Sequence, residues 1–358
     1  MSIIPLAKPD VGAEEADAVA QVLQSGMLVM GPLVHDFEKG LAGLSARRHA
    51  LAVSSGTAAL SLALEALEVG PGDEVIVPAM SWPSPAHAAH KLGAEVVLVD
   101  IDPDEWNSAP ASYEAARTER TKAAIVIDQF GNPARVSAIA DVLGDIPIVE
   151  DAACAIGSRF PDGRPCGSAG AVSCFSFHPR KVVTTGEGGA VLTDDDALAR
   201  RITVLRNHGQ ASPGEFVEAG LNHRMSDIAG AIGCIQLEKL PGLLARRRAL
   251  AKHIQAALPQ MQFQRAPEGA LPNYQTLGAR LPDGVDRAAF VDAMARASIQ
   301  VGRLSYHLGA IGTVGDAELP NCTELLGRAV ALPLYATMNE SVRERLIATT
   351  KEALKAAS

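Results

Sequence analysis

The chain is poor in several things, and each shortage narrows what it can be. Only five of its 358 residues are cysteine: Cys154, Cys166, Cys174, Cys234 and Cys322. They show no Cys-x-x-Cys spacing, and an odd count of this kind fits reduced thiols better than a disulfide framework. Charged residues make up 20% of the chain and the formal net charge is −9. That balance argues against nonspecific nucleic-acid binding, which needs clustered Lys and Arg to displace counterions. The one short basic run, Arg246-Arg247-Arg248, reads as a solvated helix face. No apolar run approaches the roughly 18–20 residues of a membrane span, and residues 1–5 carry no charged leader. A soluble, cytoplasmic protein with no membrane partner is expected. His87 and His90 lie three apart, but no third ligand clusters with them, so a polar helix surface is expected there and no metal site. The Gly-Lys-Ser/Thr ending of a Walker loop and the Gly-x-Gly-x-x-Gly dinucleotide fingerprint are both missing.

What is abundant is apolar sequence: 47% of residues are hydrophobic, enough for a large core. Seven short β-rich runs alternate with helical patterns, at 50–54, 74–78, 94–100, 123–128, 146–151, 171–176 and 189–193. Such alternation predicts an α/β sandwich, a mostly parallel seven-stranded sheet covered by helices on both faces. The pattern then changes to a long Arg-, Ala- and Leu-rich helix over 237–258. Beyond Pro259 the strands weaken, and helices are expected over 286–298 and 340–357. This predicts a large α/β domain over 1–240, with an N-terminal arm, and a smaller C-terminal α+β domain over 241–358.

Ligands of open parallel sheets sit beyond the carboxyl ends of the strands, and four polar features fall at such ends. Ser54-Ser55-Gly56-Thr57-Ala58-Ala59 joins a strand to a helix; its glycine permits close backbone approach and the new helix presents free N–H groups to an anion. A helix cap would use the same residues. Glu150-Asp151 ends the fifth run and could hold a protonated ring nitrogen, a ribose hydroxyl, or cap a helix. Phe175-Ser176-Phe177-His178-Pro179-Arg180-Lys181 is followed by the glycine-rich return Thr184-Thr185-Gly186-Glu187-Gly188-Gly189. A lysine fixed there in a cleft floor could form a Schiff base once desolvated, although most lysines are simply solvated. Trp82 follows the second run and could stack on a planar cofactor, or merely pack.

Taken together these residues resemble the DegT/DnrJ/StrS family of pyridoxal-phosphate-dependent aminotransferases. The resemblance runs nearly from end to end. It includes Gly31-Pro32-Leu33-Val34-His35-Asp36-Phe37-Glu38, the 54–60 turn, Gly70-Pro71-Gly72-Asp73-Glu74-Val75-Ile76-Val77-Pro78, and Glu150-Asp151-Ala152-Ala153. It continues through the 175–189 segment to Gly220-Leu221-Asn222-His223-Arg224-Met225-Ser226-Asp227. The resemblance implies fold type I, the cofactor pyridoxal 5′-phosphate, and a homodimer with active sites shared at the interface. By the same resemblance Lys181 matches the Schiff-base lysine and Asp151 the carboxylate paired with the pyridinium nitrogen. Thr57, Ala58 and Ser176 match phosphate contacts, with Gly56 allowing close approach. Asn222 matches a residue reaching the phosphate from the partner subunit, and Trp82 the aromatic ring on the cofactor face.

Three departures stand out. Cys154 occupies the place of the family's usual Gln, Met27 that of an aromatic residue at the substrate mouth, and Pro272-Asn273-Tyr274-Gln275-Thr276 lacks the family's aromatic-His pattern. The lysine-to-histidine exchange of dehydrating relatives is absent, which favours amino transfer. The expected activity is transfer of an amino group from glutamate or glutamine to a keto-sugar, typically nucleotide-linked. The same chemistry on a small ketone, aldehyde or cyclitol is the alternative. A cofactor-binding regulator would not need both Lys181 and Asp151, and a nicotinamide dehydrogenase would need the missing glycine fingerprint.

Overall fold

The computed structural model describes residues 2–312 and 318–358. All seven β-rich runs become strands: β1 (His49–Val53), β2 (Glu74–Pro78), β3 (Glu95–Val99), β4 (Thr121–Ile127), β5 (Ile148–Asp151), β6 (Val172–Ser176) and β7 (Gly189–Thr193). They form one sheet in the order β1-β7-β6-β5-β4-β2-β3. Strands β2 to β6 pair in parallel, and β7 runs antiparallel to both β1 and β6. β5 is shorter than its apolar run because Pro147 has no N–H to give the ladder; its carbonyl instead accepts from Ala124 N–H at 3.1 Å.

Alternation along the strands builds a core on each face. Val75, Val77 and Ile125 pack with Leu60, Leu62 and Leu64 of helix Gly56–Ala66. Ile76, Val126 and Phe175 point the other way, to Phe37 of helix Pro32–Leu44 and to Phe177. Phe37 and Phe177 meet edge to face, ring centroids 5.0 Å apart. A third core holds the C-terminal residues around a four-stranded antiparallel sheet, in the order Gln262–Phe263, Leu277–Arg280, Ala329–Leu332, Gly302–Arg303. Helices Arg287–Arg296 and Glu340–Ala356 contribute Phe290, Met294, Leu346 and Leu354 to it, and Ile4 enters from the chain's start.

One helix, Asp227–Ala257, serves two of these cores. Leu240, Leu243 and Leu244 lie in the core around Phe37 and Phe177, Ala251 and Ile254 in the third, and residue 240 falls mid-helix. By length and composition alone it could cross a bilayer, yet its buried side chains sit among the protein's own. It starts ten residues before the Leu-rich stretch because Ser226 Oγ caps it, accepting from Ala229 N–H at 3.2 Å. Its first turns use small residues for close packing: a Cβ on Gly230 would lie 2.7 Å from Val34 N, and one on Gly233 2.7 Å from the Phe37 ring.

The arginine run on this helix is not the solvated face its charge suggests. Arg247 is buried and donates to the carbonyls of Leu334, Tyr274 and Gln275; burial lowers its pKa to about 10. Arg248 donates to Pro272 O and Gly157 O, and Arg246 alone is exposed, paired with Asp10. Carbonyls left open by irregular loops explain the difference: a guanidinium offers five donors to satisfy them.

A second buried arginine ties the helices to β1. Arg206 Nη1 donates to Glu38 Oε1 at 2.6 Å and to Ala52 O at 2.8 Å, while Ala52 N–H donates to Glu38 Oε1 at 2.8 Å. Replacing one partner strands the other charge in a dry interior. Arg206→Met should therefore lower the unfolding free energy by about 3–5 kcal/mol, read from denaturant melts. Arg206→Met combined with Glu38→Gln should recover part of that loss.

Candidate active site

The sheet order brings distant parts of the chain to one edge. Val53 pairs with Gly189, Gly189 with Ser176, and Cys174 with Asp151, so the ends of β1, β5 and β6 and the start of β7 are neighbours. The Ser54–Ser55 turn then feeds helix Gly56–Ala66. Ser55 caps it, its Oγ accepting from Ala58 N–H at 3.1 Å. That bond uses the N–H of Ala58, leaving those of Gly56 and Thr57 without a partner among the described residues. A Cβ on Gly56 would lie 2.7 Å from Ser176 Cβ, and one on Gly189 2.4 Å from Ser55 O. Both glycines are thus dictated by crowding, and Gly56, Thr57, Ala58 and Ser176 form one cradle. Sequence reasoning missed Ser84, whose Oγ lies 2.7 Å from Thr57 Oγ1 at the start of the next helix.

Asp151 ends the strand next to the one carrying Ser176, and Lys181 is close enough for its charge to act on that carboxylate. Asp151 is the last residue of β5, buried, and followed by turns; it caps no helix. Its Oδ1 accepts the N–H of Ala153 at 3.1 Å. Burial raises its pKa, opposed by that hydrogen bond and by the positive charge of Lys181. The lysine sits in a loop closed at its base by Phe177 N–H to Gly188 O at 2.9 Å and Thr185 N–H to Phe177 O at 3.0 Å. Thr184 Oγ1 donates to the same Phe177 carbonyl, and Gln275 Nε2 pins the tip through Arg180 O at 2.8 Å. The ammonium is half-buried and its Nζ donates to Cys154 Sγ at 3.1 Å.

The 272–276 segment, notable in sequence for what it lacks, is the wall behind Cys154. Asn273 is fully buried and its Nδ2 donates to both Cys154 O and Ile156 O at 2.9 Å. Nothing in its spacing announces this, because the contact joins residues more than a hundred positions apart.

Glu150 points to the opposite face of β5 from Asp151. Its Oε1 accepts from Gly167 N–H at 2.6 Å, its Oε2 from Ala169 N–H at 2.7 Å and Ser173 Oγ at 2.9 Å. Asp128 and Cys166 complete a buried group whose polar atoms lie within 4.8 Å of one another. Asp128 Oδ2 meets no donor among the described residues. With both Glu150 oxygens already occupied by donors, the cluster suits a shared proton better than a cation. Burial and the negative charge of Glu150 raise the Asp128 pKa well above its ordinary value, which favours the protonated form of Asp128 beside Glu150.

Trp82 and Asn222 stand apart from this group: no hydrogen bond or ring contact joins either to it among the described residues. Trp82 is 62% exposed and meets Tyr306 edge to face at 5.2 Å. Strands Met80–Ser81 and Tyr306–His307 pair to hold the two rings, with the Arg303 guanidinium 5.6 Å from the Tyr306 centroid. Asn222 is exposed, accepting from Arg224 Nε at 3.2 Å. The next residue's carbonyl, His223 O, accepts Ser54 N–H at 2.8 Å.

The shared proton has a pH signature. A carboxylic acid whose folded-state pKa is raised contributes stability that is full below its ordinary value of 3.8 and is lost as pH rises through the raised one. Asp128→Asn keeps the shape and removes the titration. Its unfolding free energy should fall less than the parent's between about pH 4 and 8; parallel curves would show that no proton is shared.

Comparison with known proteins follows this geometry. TlmJ of Streptoalloteichus hindustanus, an aminotransferase, superposes with a TM-score of 0.95 at 30% identity over 100% of both chains. Spr1654 of Streptococcus pneumoniae, assigned as a sugar aminotransferase, matches in its PLP form with a TM-score of 0.95 at 26% identity over 100% of both. DesV of S. venezuelae, solved with a ketimine intermediate, matches with a TM-score of 0.92 at 31% identity over 99% of both. The sequence profile of the DegT/DnrJ/EryC1/StrS aminotransferase family matches residues 9–351. Matched over nearly its whole length, the chain belongs to that aminotransferase family.

Proposed function

We propose that this aminotransferase takes an amino group from glutamate or glutamine and places it on a nucleotide-linked keto-sugar, with pyridoxal 5′-phosphate as cofactor. The observation that carries the reading is a buried carboxylate on which the charge of a half-buried amine acts, beside a helix N-terminus with free N–H groups. These residues fit the cofactor. The cradle of Gly56, Thr57 and Ser176 admits no extra side chain and offers N–H and hydroxyl donors to a phosphate. Asp151, buried with one backbone donor, is suited to a cationic ring N–H. The sugar acceptor is supported by the full-length likeness to Spr1654.

When bound, the cofactor supplies an electron sink for the carbanion formed at the substrate carbon. Asp151, its own charge favoured by a cation, holds the proton on the ring nitrogen. Lys181 Nζ, tethered in a loop braced at base and tip, takes up and returns the proton that moves between carbon centres, a role typically worth about 10²–10⁴-fold. Fixing that amine in place lowers the entropic barrier to the transfer. The five cysteines are all free thiols, which suits a cytoplasmic location.

The assignment predicts that the full-length protein loaded with pyridoxal phosphate absorbs in the visible. The band should bleach with glutamate or glutamine and return with a keto-sugar nucleotide. Lys181→Ala should keep the fold, by circular dichroism, and lose about 10²-fold or more in turnover. Near-native turnover in that variant would overturn the assignment.

We also propose a homodimer in which Asn222 completes the partner's phosphate site. Beside Asn222, Phe216, Val217 and Leu221 are 65%, 57% and 67% exposed, an apolar surface suited to a second copy. Mixing Lys181→Ala and Asn222→Ala chains tests this. Subunit exchange should restore activity, because one site of each mixed dimer then combines an intact Lys181 with its partner's intact Asn222. Proven heterodimers without recovery would place Asn222 in its own chain's site.

A further inference from the structure

Cys154 and Lys181 make a contact that amino transfer does not require. Their Sγ and Nζ are 3.1 Å apart, and the sulfur is held from behind, since Asn273 Nδ2 fixes the Cys154 carbonyl and Asn273 N–H is itself fixed by Ser158 Oγ at 3.0 Å. The lysine loop is closed by the Phe177 bonds, so the backbones on both sides of the contact are anchored. The charge of the same amine acts on Asp151. The other four thiols are different. Burial pushes Cys234 up to about 11 and Cys322 up to about 12, and Cys166 and Cys174 well above the ordinary range. Thiolate is the form that reacts with peroxides, so these four are suppressed. Cys154 is half-buried and has an ammonium donor at hydrogen-bond distance.

We propose that Cys154 and Lys181 are a modification site for hydrogen peroxide, closing to a covalent nitrogen–sulfur bond whenever Nζ is not bound to the cofactor. In the first step the sulfur attacks one peroxide oxygen; the O–O bond breaks, sulfur loses two electrons, and the departing hydroxide takes the proton held between sulfur and Nζ, giving Cys–SOH, water and a neutral Lys181 amine. In the second, the neutral Lys181 amine attacks that sulfur. The N–S bond forms, the S–O bond breaks, and the departing hydroxide leaves as water with a proton from the amine. The net change is loss of two hydrogen atoms from the protein for one peroxide reduced to two waters. A thiol reductant reverses it by attacking sulfur and releasing the amine. Condensation of a sulfenic acid with a nearby nitrogen is established chemistry, and the contact distance makes Lys181 the nitrogen at hand. The link depends on the two side chains alone. Its consequence rests on the proposed role of Lys181: linked enzyme cannot bind cofactor covalently, and enzyme holding the aldehyde form is protected.

The test reads mass, not turnover. Full-length protein carrying pyridoxamine phosphate, which leaves Nζ free, is treated with hydrogen peroxide and its peptides are mapped. The expected product is a cross-linked Lys181–Cys154 pair lighter by two hydrogen atoms, with one thiol of five lost and tryptic cleavage after Lys181 blocked. Dithiothreitol should restore both. The same protein loaded with pyridoxal phosphate should give no cross-link, and Lys181→Ala should leave a sulfenic acid that dimedone traps at Cys154. Oxidation of Cys154 to sulfinic acid without the link, or no oxidation at Cys154 at all, would overturn the proposal. Either result leaves the bleaching of the visible band by amino donor untouched, so failure here and failure of the functional reading are separable.

Discussion

A carboxylate buried at the end of a strand sets the terms for everything around it. Asp151 is only 5% exposed, and desolvation of its charge is the largest influence on its pKa. Such a group stays ionised only where a cation or donor faces it. Ala153 N–H is such a donor and Lys181 a cation whose charge acts on it, and the lysine is placed by the braced loop between β6 and β7. That loop in turn requires β7 to run back antiparallel between β6 and β1 in an otherwise parallel sheet, which places Gly189 against the Ser55–Gly56 turn.

The two faces of β5 divide the labour. Asp151 looks toward the ligand side, while Glu150, one residue earlier, is satisfied by two N–H groups and a hydroxyl of the 167–173 segment. Arg47 adds bonds to Gly167 O, Gly170 O and Ser173 Oγ. Giving the proton to Asp128 leaves one anion there instead of two. The catalytic face thus rests on a back in which Glu150 has a donor on each oxygen.

Much of this was legible in the sequence. The seven strands announce themselves by β-branched runs, and the cradle by a Ser-Ser-Gly turn between a strand and a helix. Lys181 and Asp151 fall where parallel strands end, and that placement singles them out. What stayed hidden depends on contacts across the fold. The first turns of helix Asp227–Ala257 are glycine- and alanine-rich because a neighbouring helix lies close, so they lack the Leu periodicity that marks its later part. Arg247 is charged yet buried because loop carbonyls surround it, which no local pattern reports. Asn273 buttresses Cys154 from a segment that in sequence is conspicuous only for missing aromatics.

The long helix through residue 240 has a mechanical meaning. Thirty-one residues make a rod of about 46 Å at 1.5 Å per residue, embedded at one end among the large sheet's partners and at the other among those of the small sheet. Bending it means stretching a continuous ladder of hydrogen bonds, already one short at Pro241. A clamshell swing of one sheet over the other would therefore work against a spring.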